Sequence, residues 1–112
     1  MSKISFEDIG AVVATCQVEE GVRGGEVVKL TDNAKVGSCA AGDKFCGMAM
    51  QPRGAIAGVQ FKGFMTVACT GELIPGWATL AADGSGGVKN AEGGVPALVI
   101  AMNADGTAVI CL

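Results

Sequence analysis

The sequence predicts an all-β fold: a small single-domain β-barrel or barrel-like sandwich whose strands are joined by short hairpins. Glycine is abundant, with 18 residues among 112, whereas proline is scarce, a composition typical of many tight turns. Turn signals recur at short intervals, and no segment carries a helical apolar stripe of adequate length. Half of the residues are hydrophobic, which excludes a disordered chain.

The predicted strands are the apolar or alternating segments between these turns. They cover residues 9–16, 26–30, 44–51, 56–62, 64–70, 77–82, 95–102 and 107–112. Three aspartate-led dipeptides mark turns, since Asn and Gly tolerate positive φ: Asp32-Asn33, Asp83-Gly84 and Asp105-Gly106. We divide the chain into residues 1–10, an N-terminal arm or first edge strand, and residues 11–112, the β-barrel domain.

The glycine-rich run LAADGSGGVKNAEGG, residues 80–94, is interpreted as turns rather than as a phosphate loop. A GxGxxG reading that begins at Gly84 places Lys89 at the third glycine, and Lys89 precedes Asn90 where a P-loop has Ser or Thr. The segment that follows, VPALVIAM, suits a strand better than a helix. No cofactor is therefore expected to bind at this run.

Two predicted strands differ in how their faces are covered. In residues 56–62, Val59 and Phe61 alternate with Gln60 and Lys62, which predicts one dry and one solvated face. Residues 95–102 are apolar throughout, so both faces need cover. A closed barrel covers one face and leaves Leu98, Ile100 and Met102, which a neighbouring subunit could cover.

Two stretches of the chain resemble each other. Residues 25–36 and 76–88 both run from a glycine through a leucine to an aspartate turn and a valine. This similarity indicates either two similar hairpins within one barrel or shared turn chemistry alone.

Charge and composition exclude several classes of partner. Eight basic and eleven acidic residues give a net charge of −3, without a basic cluster, so neither nucleic acid nor an anionic membrane is an expected partner. The N-terminal sequence MSKISFEDIG lacks the apolar region of a signal peptide, which predicts a chain made in a cytoplasm.

The chain lacks the residue patterns of common catalytic and metal sites. It contains no histidine, and its five cysteines are scattered, so Cys-His dyads are impossible and a zinc site is not expected. We expect free, buried thiols, no metal, and no enzymatic activity.

Two segments are candidates for contacts with other proteins. The loop GELIPGW presents Leu73, Ile74, Pro75 and Trp77 on a connection where polar residues are usual. The alternative is that Leu73 and Ile74 plug the end of the barrel while Trp77 lies in the core. In the N-terminal segment, Ile4 and Phe6 alternate with polar residues, as in a strand that either belongs to the domain or pairs with a neighbour.

The order of these segments resembles the small decoration, or cement, proteins of tailed-bacteriophage heads. The resemblance lies in EGVRGGEVVKL, CAAGDKFCGMAM, VQFKGFMTVACTG and PGWATLAADGSGGV and in the final pair of strands, and it runs from about Val12 to Leu112. The sequence departs from this pattern at residues 48–58 and in its five cysteines.

The resemblance implies a β-barrel that is made in the host cytoplasm, assembles as a small symmetric oligomer, for which a homotrimer is the preferred form, and docks on the outer face of the phage head. There it would contact the major capsid protein and stabilise contacts between capsid subunits through avidity. The alternative is a small-ligand-binding β-barrel module, against which the scarcity of aromatic and convergent polar residues argues.

Overall fold

The computed structural model describes residues 11–112 and confirms the all-β fold. This part of the chain contains ten strands and no helix, and hence no helix long and apolar enough to cross a membrane. The strands are β1 Val12–Val18, β2 Val27–Asp32, β3 Lys35–Ser38, β4 Gly47–Ala49, β5 Ile56–Lys62, β6 Phe64–Ala68, β7 Gly76–Ala82, β8 Val88–Asn90, β9 Val95–Met102 and β10 Thr107–Cys111.

The strands form two five-stranded sheets that follow each other along the chain. β1 to β5 close into a barrel in the order β1-β3-β2-β4-β5, and β6 to β10 form a sheet in the order β6-β10-β9-β7-β8. We call residues 11–62 the first half and residues 64–112 the second half.

The two halves have the same topology. In the first half β1 runs parallel to β3, and every other pairing is antiparallel. In the second half the antiparallel pairings recur in the same sequence, and a parallel bridge between Cys69 and Val88 joins β8 to the chain just after β6. The similar stretches 25–36 and 76–88 are thus the β2–β3 and β7–β8 hairpins, which occupy equivalent positions in separate sheets.

The connection between the first two strands of each half repeats as well. Gly21, with φ of +94°, precedes the buried Val22, and Gly71, with φ of +79°, comes two residues before the buried Leu73. Positive φ is strained for residues with a Cβ, so glycine lets the chain reverse at both points. The reversal directs an aliphatic side chain into the core of its own half.

The core consists of two clusters, one of which joins the halves. The smaller cluster contains buried residues of the first half alone. The larger cluster contains Leu80, Ile110 and other residues of the second half together with Val27 and Phe45 from the first half. Backbone hydrogen bonds reinforce the joint, since Gly42 N donates to Ala82 O and Ala82 N donates to Asp43 O, both at 2.9 Å.

The prediction that Gln60 lies on a solvated face is wrong. Gln60 does lie on the face opposite the buried Val59, but it is itself buried. It pairs across the sheet with Met48, and Met48 packs on the cluster that the second half supplies. The Gln60 amide Nε2 donates to Lys62 O at 3.1 Å and Phe64 O at 2.9 Å, so its burial is satisfied where the chain passes from one sheet to the other.

Other details of the strands also differ from the sequence-based prediction. Strands β3 and β8 were not predicted, and β4 is shorter than the predicted strand at residues 44–51. The expectation that Leu98, Ile100 and Met102 share one face is also wrong. The register of β9 against β10 shifts at Ile100, so Met102 turns towards the core while Leu98 remains on the opposite face.

Candidate docking surface

The loop before β7 divides its apolar residues between the core and the surface. Leu73 is 2% exposed and belongs to the larger core cluster, so it acts as the plug that the sequence offered as an alternative. Ile74 is 78% exposed, and Pro75 is exposed as well. The plug role is therefore wrong for Ile74, and of these three residues only Ile74 and Pro75 are accessible to another molecule.

Trp77 is the most exposed large hydrophobic residue of the described chain. It is the second residue of β7 and follows Gly76, which has φ of +125°. Its side chain is 79% exposed, so the alternative that placed Trp77 in the core is wrong. Residues on a strand alternate between faces, and since the flanking Ala78 packs on the core, Trp77 faces outward.

An apolar row crosses four strands of the second sheet at Trp77. Directly paired residues share a face, and here Trp77 pairs with Leu98, Leu98 with Cys111, and Cys111 with Phe64. Leu98, Cys111 and Phe64 are each half-buried. We call these four residues the second row.

The first half contains the equivalent row on the equivalent strands. Val13 pairs with Gln60, Gln60 with Met48, and Met48 with Val27. We call this set the first row. Val27 is fully buried and Met48 packs on the larger cluster, because the second half of the chain covers this end of the row. Trp77, at the position equivalent to Val27, remains exposed.

Electrostatic interactions near these surfaces stabilise turns. The Asp83 carboxylate accepts hydrogen bonds from Ser85 N at 2.7 Å, Gly87 N at 3.1 Å and Thr70 Oγ1 at 2.7 Å. Partial burial acts to raise the pKa of Asp83, but these hydrogen bonds outweigh it and hold the pKa below its ordinary value. This carboxylate organises the DGSGG turn, which agrees with the turn predicted for this glycine-rich run.

One ion pair stabilises the β3–β4 connection, which packs against the second half. Lys29 Nζ lies 2.6 Å from Asp43 Oδ2, and the same carboxylate oxygen accepts a hydrogen bond from Ala40 N at 2.9 Å. The pairing raises the pKa of Lys29, and the hydrogen bonds from Lys29 and Ala40 lower that of Asp43. This connection carries Phe45 into the larger cluster, so the ion pair helps to position Phe45 against the core of the second half.

The cysteines are all free, but the expectation that they are buried is correct only for Cys16. Cys39, Cys46, Cys69 and Cys111 are half-buried. Burial, followed by the charge of Asp43, raises the pKa of Cys39 to about 11. Among the described residues no three His, Cys, Asp or Glu side chains are grouped as a metal site would require.

A cleft lies at the end of the barrel beside the β1–β2 connection. Its volume is about 280 Å³, and Glu19, Glu20, Val22 and Pro52 contribute to its lining. Sites for drug-sized ligands usually occupy roughly 300–1,000 Å³ and place polar groups at defined positions. The cleft therefore does not favour the ligand-binding alternative.

The structure brings together only part of the predicted contact set. Ile74, Pro75 and Trp77 lie close in sequence on one exposed segment, Leu73 lies in the core, and Ile4 and Phe6 lie outside the described residues. The sequence did not single out Leu30, although it is 57% exposed near the end of β2. Leu30 lies in a short amphipathic strand, and this sequence pattern does not indicate that its side chain is exposed.

No protein-family model matches the chain, and no curated protein matches it either.

Proposed function

We propose that this protein is a decoration protein of a tailed-phage head. It is made in the host cytoplasm, assembles as a homotrimer, and docks on the outer face of the shell, where it stabilises contacts between subunits of the major capsid protein. The observation that carries the proposal is the exposed apolar segment of Ile74, Pro75 and Trp77 on a small all-β body. Apolar side chains clustered on a surface favour a protein partner.

Ile74 is the residue assigned to the shell contact. It projects from a loop whose position is fixed from within, because the preceding Leu73 is buried. A projecting side chain on an anchored loop loses little conformational entropy when it docks. Each subunit of a trimer presents one such contact, and three linked weak contacts bind a repetitive lattice far more tightly than one.

The other partner predictions follow from charge. A net charge of −3 without a basic cluster gives no attraction to nucleic acid or to an anionic membrane. No cofactor and no catalytic role are proposed. The N-terminal segment with Ile4 and Phe6 is either the domain's own first strand or an arm that adds a strand to a neighbouring sheet edge.

Pelleting with phage heads tests the proposal. The purified protein is mixed with expanded, undecorated phage heads, and the bound fraction is measured after sedimentation. We expect saturable binding by the wild type and at least about tenfold weaker binding by Ile74→Ser, since burying an aliphatic side chain contributes roughly 1.5–3 kcal/mol. Met50→Ser, which alters another exposed apolar residue, is the matched control and should bind normally. A wild-type protein that stays in the supernatant would refute the proposal.

A further inference from the structure

The repeated topology suggests what covers Trp77 and Leu30. Within one chain, the second half covers the Val27 end of the first row, and Val27 and Ala82 belong to the same buried cluster. Trp77 is the equivalent of Val27 in the second row. Leu30 pairs with Val36 and Ala82 pairs with Val88, the residues at which β3 and β8 make their parallel pairings, so Leu30 is the equivalent of Ala82. Val27 and Ala82, which share a buried cluster, therefore both have exposed counterparts.

The exposure of these two residues differs. Ala82 is fully buried, and its backbone exchanges hydrogen bonds with Gly42 and Asp43 of the first half, both at 2.9 Å. Leu30 pairs with the buried Val36, yet it is 57% exposed. Ala82 thus has the other half against it, whereas the cluster that contains Val36 includes no residue of the second half.

We infer that the Trp77 surface of one copy covers the Leu30 surface of a second copy, and that this contact repeats between chains the packing that joins the two halves within a chain. The β8–β9 connection, residues 91–94, is too short to carry a counterpart of Phe45. The indole of Trp77 is much larger than the Val27 side chain and supplies the missing apolar volume. The occupant of each surface is thus another copy of the same chain.

Such a contact joins two different surfaces, so it is heterologous and propagates head to tail until it closes into a ring. The trimer of the proposed function would then be a ring of three chains. The inference rests on the proposed function only in requiring an oligomer. Ile74 remains available for the shell.

Sedimentation velocity with complementary variants tests the inference. The wild type should sediment as a closed oligomer of three or more chains, and Trp77→Ser and Leu30→Ser should each sediment as monomers. In an equimolar mixture, the intact Leu30 surface of one variant meets the intact Trp77 surface of the other. The mixture should therefore form dimers and stop there. Met50→Ser should behave as the wild type.

Trp77 is the only tryptophan in the chain, so its fluorescence provides a second measurement. Emission should shift to shorter wavelength as the wild type assembles on concentration, and should not shift in Leu30→Ser. Circular dichroism checks the fold of each variant, and Leu30→Thr replaces Leu30→Ser if the latter unfolds.

Three results would overturn the inference: a wild-type monomer or strict dimer, a Leu30 variant that assembles normally, or a mixture that remains monomeric. Head binding is measured separately. Assembled rings that fail to pellet with heads would refute the proposed function alone, whereas a monomer that pellets would refute the head-to-tail contact alone.

Discussion

Val27 and Leu80 are both fully buried in one hydrophobic cluster, although they belong to different halves of the chain. Val27 and Phe45 of the first half belong to the cluster that forms the core of the second sheet. We expect the halves to unfold together, because separating them would expose Val27, Phe45 and the second-half residues that pack on them.

Leu73 and Ile74 should respond very differently to truncation. Leu73→Ala should lower the free energy of unfolding by about 2–4 kcal/mol, since it leaves a cavity in the larger cluster. Ile74→Ala should change it by less than about 0.5 kcal/mol, because Ile74 is exposed. Urea unfolding followed by circular dichroism measures both. Equal effects would contradict the division of this loop between core and surface.

Gln60 should stabilise the passage between the two sheets. Gln60→Met keeps the length of the side chain but removes both donors, which leaves Lys62 O and Phe64 O without the amide. We expect a loss of about 1–3 kcal/mol in the free energy of unfolding. Gln51→Met, at an exposed glutamine, is the control. A Gln60→Met variant as stable as the wild type would show that the amide contributes nothing there.

Asp83 should contribute stability at neutral pH that is lost in acid. Its pKa in the folded protein lies below its ordinary value, because its hydrogen bonds outweigh the partial burial that would raise it. The contribution is thus fully present above the unfolded pKa of about 4 and disappears as the pH falls through the folded pKa.

The variant Asp83→Asn isolates this contribution. It should be about 1–2 kcal/mol less stable than the wild type near neutral pH, with the difference shrinking as the pH falls below the unfolded pKa of about 4. Glu92→Gln, an exposed acid on another turn, is the control. Urea midpoints of the variant and the wild type, measured across this pH range, show how the difference in stability changes. A difference that grows in acid would contradict the lowered pKa of Asp83.

Cys16 and Cys39 should be the slowest thiols to react in the folded protein. Cys16 is buried, and the pKa of Cys39 is raised from 9.0 to about 11, which lowers its thiolate fraction about a hundredfold. Timed alkylation with iodoacetamide and peptide mass spectrometry measures each site. If Cys39 reacted as fast in the native protein as in urea, the raised pKa would be contradicted.

Strand positions could be predicted where local pattern and burial agree. The predicted strands at residues 56–62 and 95–102 coincide with β5 and β9, because long apolar or alternating runs lie between glycine-rich turns. β3 and β8 were missed because each is short and holds few apolar residues, so pairing with neighbours defines it more than propensity. The sequence showed the similarity of the two hairpins, but only the strand order shows that the topology of the whole first half repeats in the second half.

The candidate surface was predictable only in part. The sequence identified the loop GELIPGW, but it could not show that Leu73 is buried and Ile74 exposed. That difference depends on the backbone reversal at Gly71. Gln60 was assigned to the wrong environment because alternation describes the faces of a strand and does not show which face another sheet will cover. The bulge at Ile100 likewise depends on pairing with β10.

We propose that other protein molecules on a phage head cover the exposed apolar surface of this protein. Cryo-electron microscopy of undecorated, expanded heads incubated with excess wild-type protein is the decisive experiment. We expect added density at regular lattice positions, with the Ile74 loop against the shell and Trp77 buried between neighbouring copies. Heads without added density, or copies that leave both residues in solvent, would contradict it.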